Sequence, residues 1–208
     1  MEYSGPREGV GGHGEFPPRW AVMFLVAVGF WNFLCAGVFG FLINLPMVSY
    51  YQIGTQLTAN HAHAAFAGVY GMLALALLVF ALRYLVRPAD WSDRLVRYAF
   101  WGTNLGLAWM VFANLFPIGV LQLGDAVAHG YWHARSIAFF RAHAGLEWLR
   151  LPGDVLFIAG VVPLVVLMGK AVLRPRPERA PTSPGGEYLE SPLFREVLPD
   201  QAAPGGAP

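Results

Sequence analysis

From Trp20 to Leu82, 63 consecutive residues contain no Asp, Glu, Lys or Arg, and a second bare run covers the 27 residues Tyr98 to Gly124. A helix rises about 1.5 Å per residue and a bilayer core is roughly 30 Å thick, so about 20 apolar residues make one crossing. The long run therefore holds two crossings and the shorter one a third. Asn44, Pro46, Ser49, Gln52 and Gly54 interrupt the long run with turn-forming side chains, which predicts helices over residues 20–45 and 56–86. A third helix is predicted over 97–118. The fourth, over 149–173, carries Arg150, Asp154 and Lys170 only near its ends; Pro152 suits a first helical turn and Pro163 is expected to kink the interior.

Composition agrees with that pattern. Of the 208 residues 56% are hydrophobic and 13% charged, where a water-soluble domain carries about 25% charged residues. The expected fold class is an all-α integral membrane protein with four transmembrane helices, and membrane lipid is its first partner. A net charge of +1, with no basic run inside the apolar region, leaves no electrostatic footprint for nucleic acid. Cys35 is the single cysteine, so internal disulfides and paired-thiol metal sites have no ligands. A cleaved signal peptide is a poor reading of the first span, which is too long for an h-region and follows Glu2, Glu8 and Glu15.

Four spans put Arg7, Arg19, Arg83, Arg87, Arg94, Arg97, Lys170, Arg174, Arg176, Arg179 and Arg195 on one side, and only Arg135, Arg141 and Arg150 on the other. The positive-inside rule then makes both termini cytoplasmic. Residues 1–19 read as a cytoplasmic leader and 20–173 as the membrane region. Residues 174–208 hold eight of the 16 prolines and read as a disordered cytoplasmic tail. Trp20, Tyr50, Tyr51, Trp91, Tyr98, Trp132 and Trp148 fall near span ends, as interfacial aromatic belts do. Ala36 with Gly40, Ala64 with Gly68, and Gly102 with Gly106 are each four apart, a spacing that permits close helix approach. Asn32, Asn44, Asn104 and Asn114 are candidates for polar contacts between helices.

His61 and His63 stand early in the second span. Residues two apart on an α-helix are rotated by about 200°, so their imidazoles leave from nearly opposite faces and do not readily share one metal. Two metals, one on each flank and about 13 Å apart, fit that geometry, and histidine is a common axial ligand of haem iron. Leu57, Ala64, Ala65 and Gly68 lie on the His61 face, and Ala59, Ala67 and Tyr70 on the His63 face; the small residues are expected to leave room for a flat porphyrin. A backbone carbonyl one turn earlier, Thr58 or Asn60 would engage the second ring nitrogen. Spacing alone leaves other roles open: a polar helix contact, a proton relay, or the lining of a wet cavity.

The run Phe30 to Pro46 (FWNFLCAGVFGFLINLP), followed by Gly54 to Met72 (GTQLTANHAHAAFAGVYGM), resembles the ninth and tenth helices of nitric oxide reductase catalytic subunits, with the quinol-oxidising, single-chain type nearest. His129 to Ser136 (HGYWHARS) and Glu147 to Asp154 (EWLRLPGD) resemble that family's passage into its last helix, so the likeness covers residues 20–173. It implies the C-terminal part of a haem–copper oxidase-like bundle in a bacterial inner membrane. By the family's His-x-His motif, His61 takes the high-spin haem b and His63 the low-spin haem b. The implied reaction is reduction of two NO to N2O and water at a haem iron paired with a non-haem iron, with quinol as electron donor. The family's other low-spin ligand and its non-haem iron ligands belong to earlier helices, so missing N-terminal helices or a partner chain would supply them, and the chain alone is expected not to turn over NO.

Gln52 and Ile53 stand where the quinol-type pattern often reads Glu-His, and no role is carried to them. His129, Trp132, His133 and Arg135 are candidates for contact with a quinol or haem propionates, against the plainer reading of a solvated loop. Arg150 and Asp154 read as an i,i+4 pair, or Arg150 as a propionate partner. Glu147 and Asp154 read as acids at a helix start. Two rivals stay in view: a piece of a haem–copper oxygen reductase, and a non-enzymatic membrane protein with a buried histidine pair.

Overall fold

The computed structural model describes residues 19–174, without the side chains of Cys35 and Ala36. The leader expected over 1–19, save Arg19, and the tail beyond Arg174 lie outside the described residues. Four membrane-length helices occupy the described chain: α1 (Arg19–Ile43), α3 (Gln56–Leu85), α4 (Asp93–His129) and α6 (Ala144–Leu173). Short helices α2 (Pro46–Gln52) and α5 (Ile137–Ala142) lie in the connections. The long helices hold 25, 30, 37 and 30 residues, enough at about 1.5 Å each to exceed a bilayer core. The chain is an all-α integral membrane protein.

Two helices exceed the ranges read from the sequence. Helix α4 continues past 118 to His129, and Pro117 is accommodated because it lies two residues after a π-helical stretch, Met110–Leu115, where the regular i→i−4 ladder is already interrupted. Helix α6 begins at Ala144, takes one turn residue at Leu149, and then runs unbroken through Pro163 to Leu173. Two further π-helical stretches occur, Asn32–Phe39 in α1 and Ala64–Gly71 in α3, and they face each other across the α1–α3 contact.

Contact between α4 and α6 is built from missing side chains. A Cβ on Gly102 would lie 2.7 Å from the Gly160 Cα, and one on Gly106 would lie 2.5 Å from the Phe157 nitrogen. Neither position has space for a methyl group. Lipid tails are as apolar as leucine, so helices in a membrane gain by letting backbones approach and pack. The α1–α3–α4 contact instead uses bulk: Trp31, 1% exposed, lies over Gly68 and donates its indole N–H to Asn104 Oδ1 at 3.0 Å. Phe24 meets Phe100 edge to face with centroids 5.3 Å apart.

Charges collect at the helix ends. Lys170 Nζ donates to the Asp90 carbonyl at 3.0 Å, and Arg87 and Arg174 reach the Asp90 carboxylate at 3.2 and 3.6 Å. Arg19 pairs with Asp93 at 3.8 Å. The start of α1, the α3–α4 turn and the end of α6 therefore share one end of the bundle. Only 19%, 28%, 44% and 17% of the most apolar stretches of α1, α3, α4 and α6 are buried, which leaves most of their lateral surface for lipid or further helices.

Gly106→Ala is expected to lower stability by about 1–3 kcal/mol through overpacking against α6. Gly124→Ala, where an added Cβ meets nothing within 4 Å, is expected to leave it unchanged or slightly higher. Thermal unfolding in detergent, followed by circular dichroism, measures both. Equal Tm values would show that α4 and α6 do not pack backbone to backbone.

Candidate functional site

The entry to α3 carries no charged side chain, and its first amide groups must find acceptors. Thr55 supplies one: its Oγ1 accepts from Leu57 N at 3.3 Å and donates to the Gln52 carbonyl at 2.7 Å. Thr58 Oγ1 donates to the same carbonyl at 2.9 Å. The next partner comes from α4. Gln122, fully buried, accepts from the Gln56 amide at 2.7 Å through Oε1 and donates to the Ala134 carbonyl at 2.9 Å through Nε2. Gly119 lets this approach happen, since a Cβ there would lie 2.5 Å from Leu57 N.

Arg135 closes the same end. Its guanidinium donates to the carbonyls of Tyr51, Ile53 and Tyr131, at 3.0, 3.1 and 2.7 Å respectively. Gly54, with φ of +72°, provides the sharp bend between Ile53 and the cap. Gln52 and Ile53 thus contribute backbone acceptors to the architecture. Arg135 is a clamp within the protein, not a solvated loop residue.

The two histidines leave this anchored turn toward different neighbours. His61 lies against α1, with its Cε1 3.1 Å from where a Cβ on Gly40 would sit. His63 turns toward the start of α6. Its Nδ1 donates to the Ala59 carbonyl at 2.8 Å, and Arg150 Nη2 donates to its Nε2 at 3.1 Å. A carbonyl only accepts and a guanidinium only donates, so these contacts select the neutral Nδ1–H tautomer, with the lone pair on Nε2. That is the form an axial ligand needs, and the orienting carbonyl stands one turn earlier. Both rings are partly buried. Imidazole donors fixed on separate flanks of one helix fit the chemistry of haem iron.

One expectation about space fails. Gly68 does not leave room beside His61, because the Trp31 ring occupies it, with Cγ 2.6 Å from a notional Cβ, and Ala64 is fully buried. The other flank is more open: Phe66 and Tyr70, just beyond His63, are 70% and 66% exposed. Thr58 and Asn60 do not orient His63; Thr58 bonds Gln52, and the buried Asn60 Oδ1 has no partner.

Other polar candidates divide. Arg150 does pair with Asp154, Nε to Oδ2 at 3.2 Å, while its Nη2 serves His63. Glu147 falls in the first turn of α6. Asn104 and Asn114 make contacts across elements, the latter donating to the Leu146 carbonyl at 2.7 Å. Asn44 only donates to Gly40 in its own helix, and Asn32 is exposed. His129 and His133 both turn onto Asp125, a residue that sequence reasoning missed. The spacing of Asp125 and His129 was the available signal, since four residues make about one helical turn; His133 lies beyond the end of α4.

Gln122→Leu is expected to cost about 1–3 kcal/mol by orphaning the Gln56 amide and the Ala134 carbonyl. Unfolding in detergent measures it, and unchanged stability would remove Gln122 from its anchoring role.

Comparison with known proteins places these features in a family. The protein is 33% identical over 158 residues to a nitric oxide reductase subunit from Stutzerimonas stutzeri, an alignment that takes in 71% of this chain and 32% of that protein. The chain thus spans about a third of its relative's length. The family described as Cytochrome C and Quinol oxidase polypeptide I matches residues 10–156. That match covers most of the sequence, including the His61–His63 turn and its Gln122 and Arg135 supports, and the chain belongs to this haem–copper oxidase family.

Proposed function

We propose that the chain is the C-terminal part of a nitric oxide reductase of the quinol-oxidising type, and that α3 supplies axial imidazoles to two haems b. His61 is assigned to the high-spin haem and His63 to the low-spin haem that receives electrons. The observation that carries this is the His63 ring, held by Ala59 as the Nδ1–H tautomer with Nε2 directed away from its own helix. The likeness to the Stutzerimonas stutzeri nitric oxide reductase supports the reaction class.

In the complete enzyme, two NO, two electrons and two protons give N2O and H2O. The haems and a non-haem iron, when bound, supply the electron-carrying and NO-binding metals. This chain's residues hold and orient. Ala59 keeps the His63 proton on Nδ1, so Nε2 is the ligating atom. Arg150, which donates to Nε2 here, would release that atom where it held a haem iron, and its pairing with Asp154 gives it a second partner. Gln122, Thr55 and Arg135 fix the α3 entry against the rest of the bundle. Ligands for the non-haem iron come from preceding helices or a partner chain. We assign the protein to the bacterial inner membrane with both termini cytoplasmic, because the charged end formed by Arg87, Lys170 and Arg174 is the more basic.

The family match also favours a second reading, a piece of a haem–copper oxygen reductase, which shares the His-x-His pattern. Preceding sequence separates the two: copper ligands with a crosslinked tyrosine mark the oxygen enzyme, and a glutamate beside the histidines marks the NO enzyme.

Co-expression with helices that complete the bundle allows a spectroscopic test. His63→Ala is expected to abolish the low-spin haem bands and His61→Ala the high-spin signal, with the protein still folded by circular dichroism. Haem spectra unchanged in both variants would overturn the assignment.

A further inference from the structure

A second set of ligating side chains lies at the far end of α4, independent of the haem reading. Asp125 is 14% exposed, and an imidazole covers each of its oxygens: His129 Nδ1 donates to Oδ1 at 2.8 Å and His133 Nδ1 to Oδ2 at 2.7 Å. His129 stands one turn beyond Asp125 on the same helix. His133 arrives from the next element because Gly130, with φ of +96°, ends α4 and reverses the chain. The turn carrying it, His133–Arg135, is held on both sides, by Gln122 at the Ala134 carbonyl and by Arg135 at the Tyr51 and Ile53 carbonyls.

We propose that Asp125, His129 and His133 bind a divalent transition metal of the Zn2+ class. Their donor atoms lie within 4.8 Å of one another. The imidazole centroids are 5.2 Å apart, and two imidazoles on one tetrahedral Zn2+, with metal–nitrogen bonds of about 2.0–2.1 Å, place their centroids about 5 Å apart. Ligand atoms around such an ion are about 3.3 Å from one another, so the imidazoles, which now contact separate Asp125 oxygens at 2.8 and 2.7 Å, must turn to converge on one ion. Rings that are 63% and 51% exposed have room to turn, and their protons would pass to Nε2 on ligation. Two nitrogens and one carboxylate oxygen suit Zn2+, Co2+ or Cu2+, whereas Ca2+ and Mg2+ require mostly oxygen. Three protein ligands leave the fourth position to water. The negative end of α4 adds a favourable field for a cation.

Equilibrium dialysis of the full chain in detergent, stripped with chelator and then exposed to Zn2+ alone, tests the site. About one Zn2+ per chain is expected, with His133→Ala and Asp125→Asn each weakening binding at least about tenfold. His61→Ala/His63→Ala and His143→Ala are expected to retain it, which separates this site from the haem ligands. Intense visible Co2+ bands that Zn2+ displaces would confirm tetrahedral ligation without any variant. Wild-type protein that binds no Zn2+, or binding that survives His133→Ala and Asp125→Asn together, overturns the proposal and leaves a hydrogen-bonded triad.

Discussion

A helix whose first turn is packed against other elements must satisfy its first amides with protein acceptors, and this constraint organises the protein around the entry to α3. Gln122 reaches across from α4 to accept from Gln56, and its other end holds Ala134. Arg135 then ties the α2–α3 bend through carbonyls of Tyr51 and Ile53. Three segments far apart in sequence are thereby locked to one turn. The two histidines follow within two turns of that anchor, so their directions are set by it. Loss of a buried amide partner costs more than an ordinary hydrogen bond contributes, which is why a fully buried glutamine is tolerated there.

Small residues play two different parts in the bundle. Along α4 and α6, Gly102, Gly106, Gly153 and Gly160 bring backbones together. At the α1–α3 contact, Gly68 receives Trp31, whose indole is itself tied to Asn104 of α4. The tryptophan therefore makes a three-helix junction close to the histidines. Gly68 thus leaves no open space beside His61, whereas Phe66 and Tyr70 beyond His63 are exposed and form an apolar aromatic face on α3.

The low burial of all four spans has the same origin as their hydrophobicity. A self-contained soluble bundle would hide most of its apolar side chains, but α1 and α6 bury less than a fifth of theirs. Lipid and additional helices are both compatible partners for such surfaces, and a relative of which this chain covers only 32% has chain enough to provide the second kind. Surface ion pairs at the charged end contribute little to stability; they mark where the helices leave the membrane.

Fold class and the presence of four long apolar helices were legible in the sequence, because exclusion of charge from a bilayer is a one-dimensional signal that needs no knowledge of neighbours. That His61 and His63 meet different neighbours was legible for a similar reason, since helical rotation is local geometry. Everything that depended on contacts across the chain was not. The third helix reads as ending near 118, but in the structure it runs on through the π-helical stretch and Pro117 to His129. Gly68 reads as open space until Trp31 fills it, and His133 meets Asp125 only because Gly130 folds the chain back. Arg150 has an acid on either side within about one helical turn, Glu147 and Asp154, yet 87 positions separate it from the imidazole it touches. Only packing decides which local partner a side chain leaves for a distant one, because that choice compares burial and hydrogen bonding over the whole bundle.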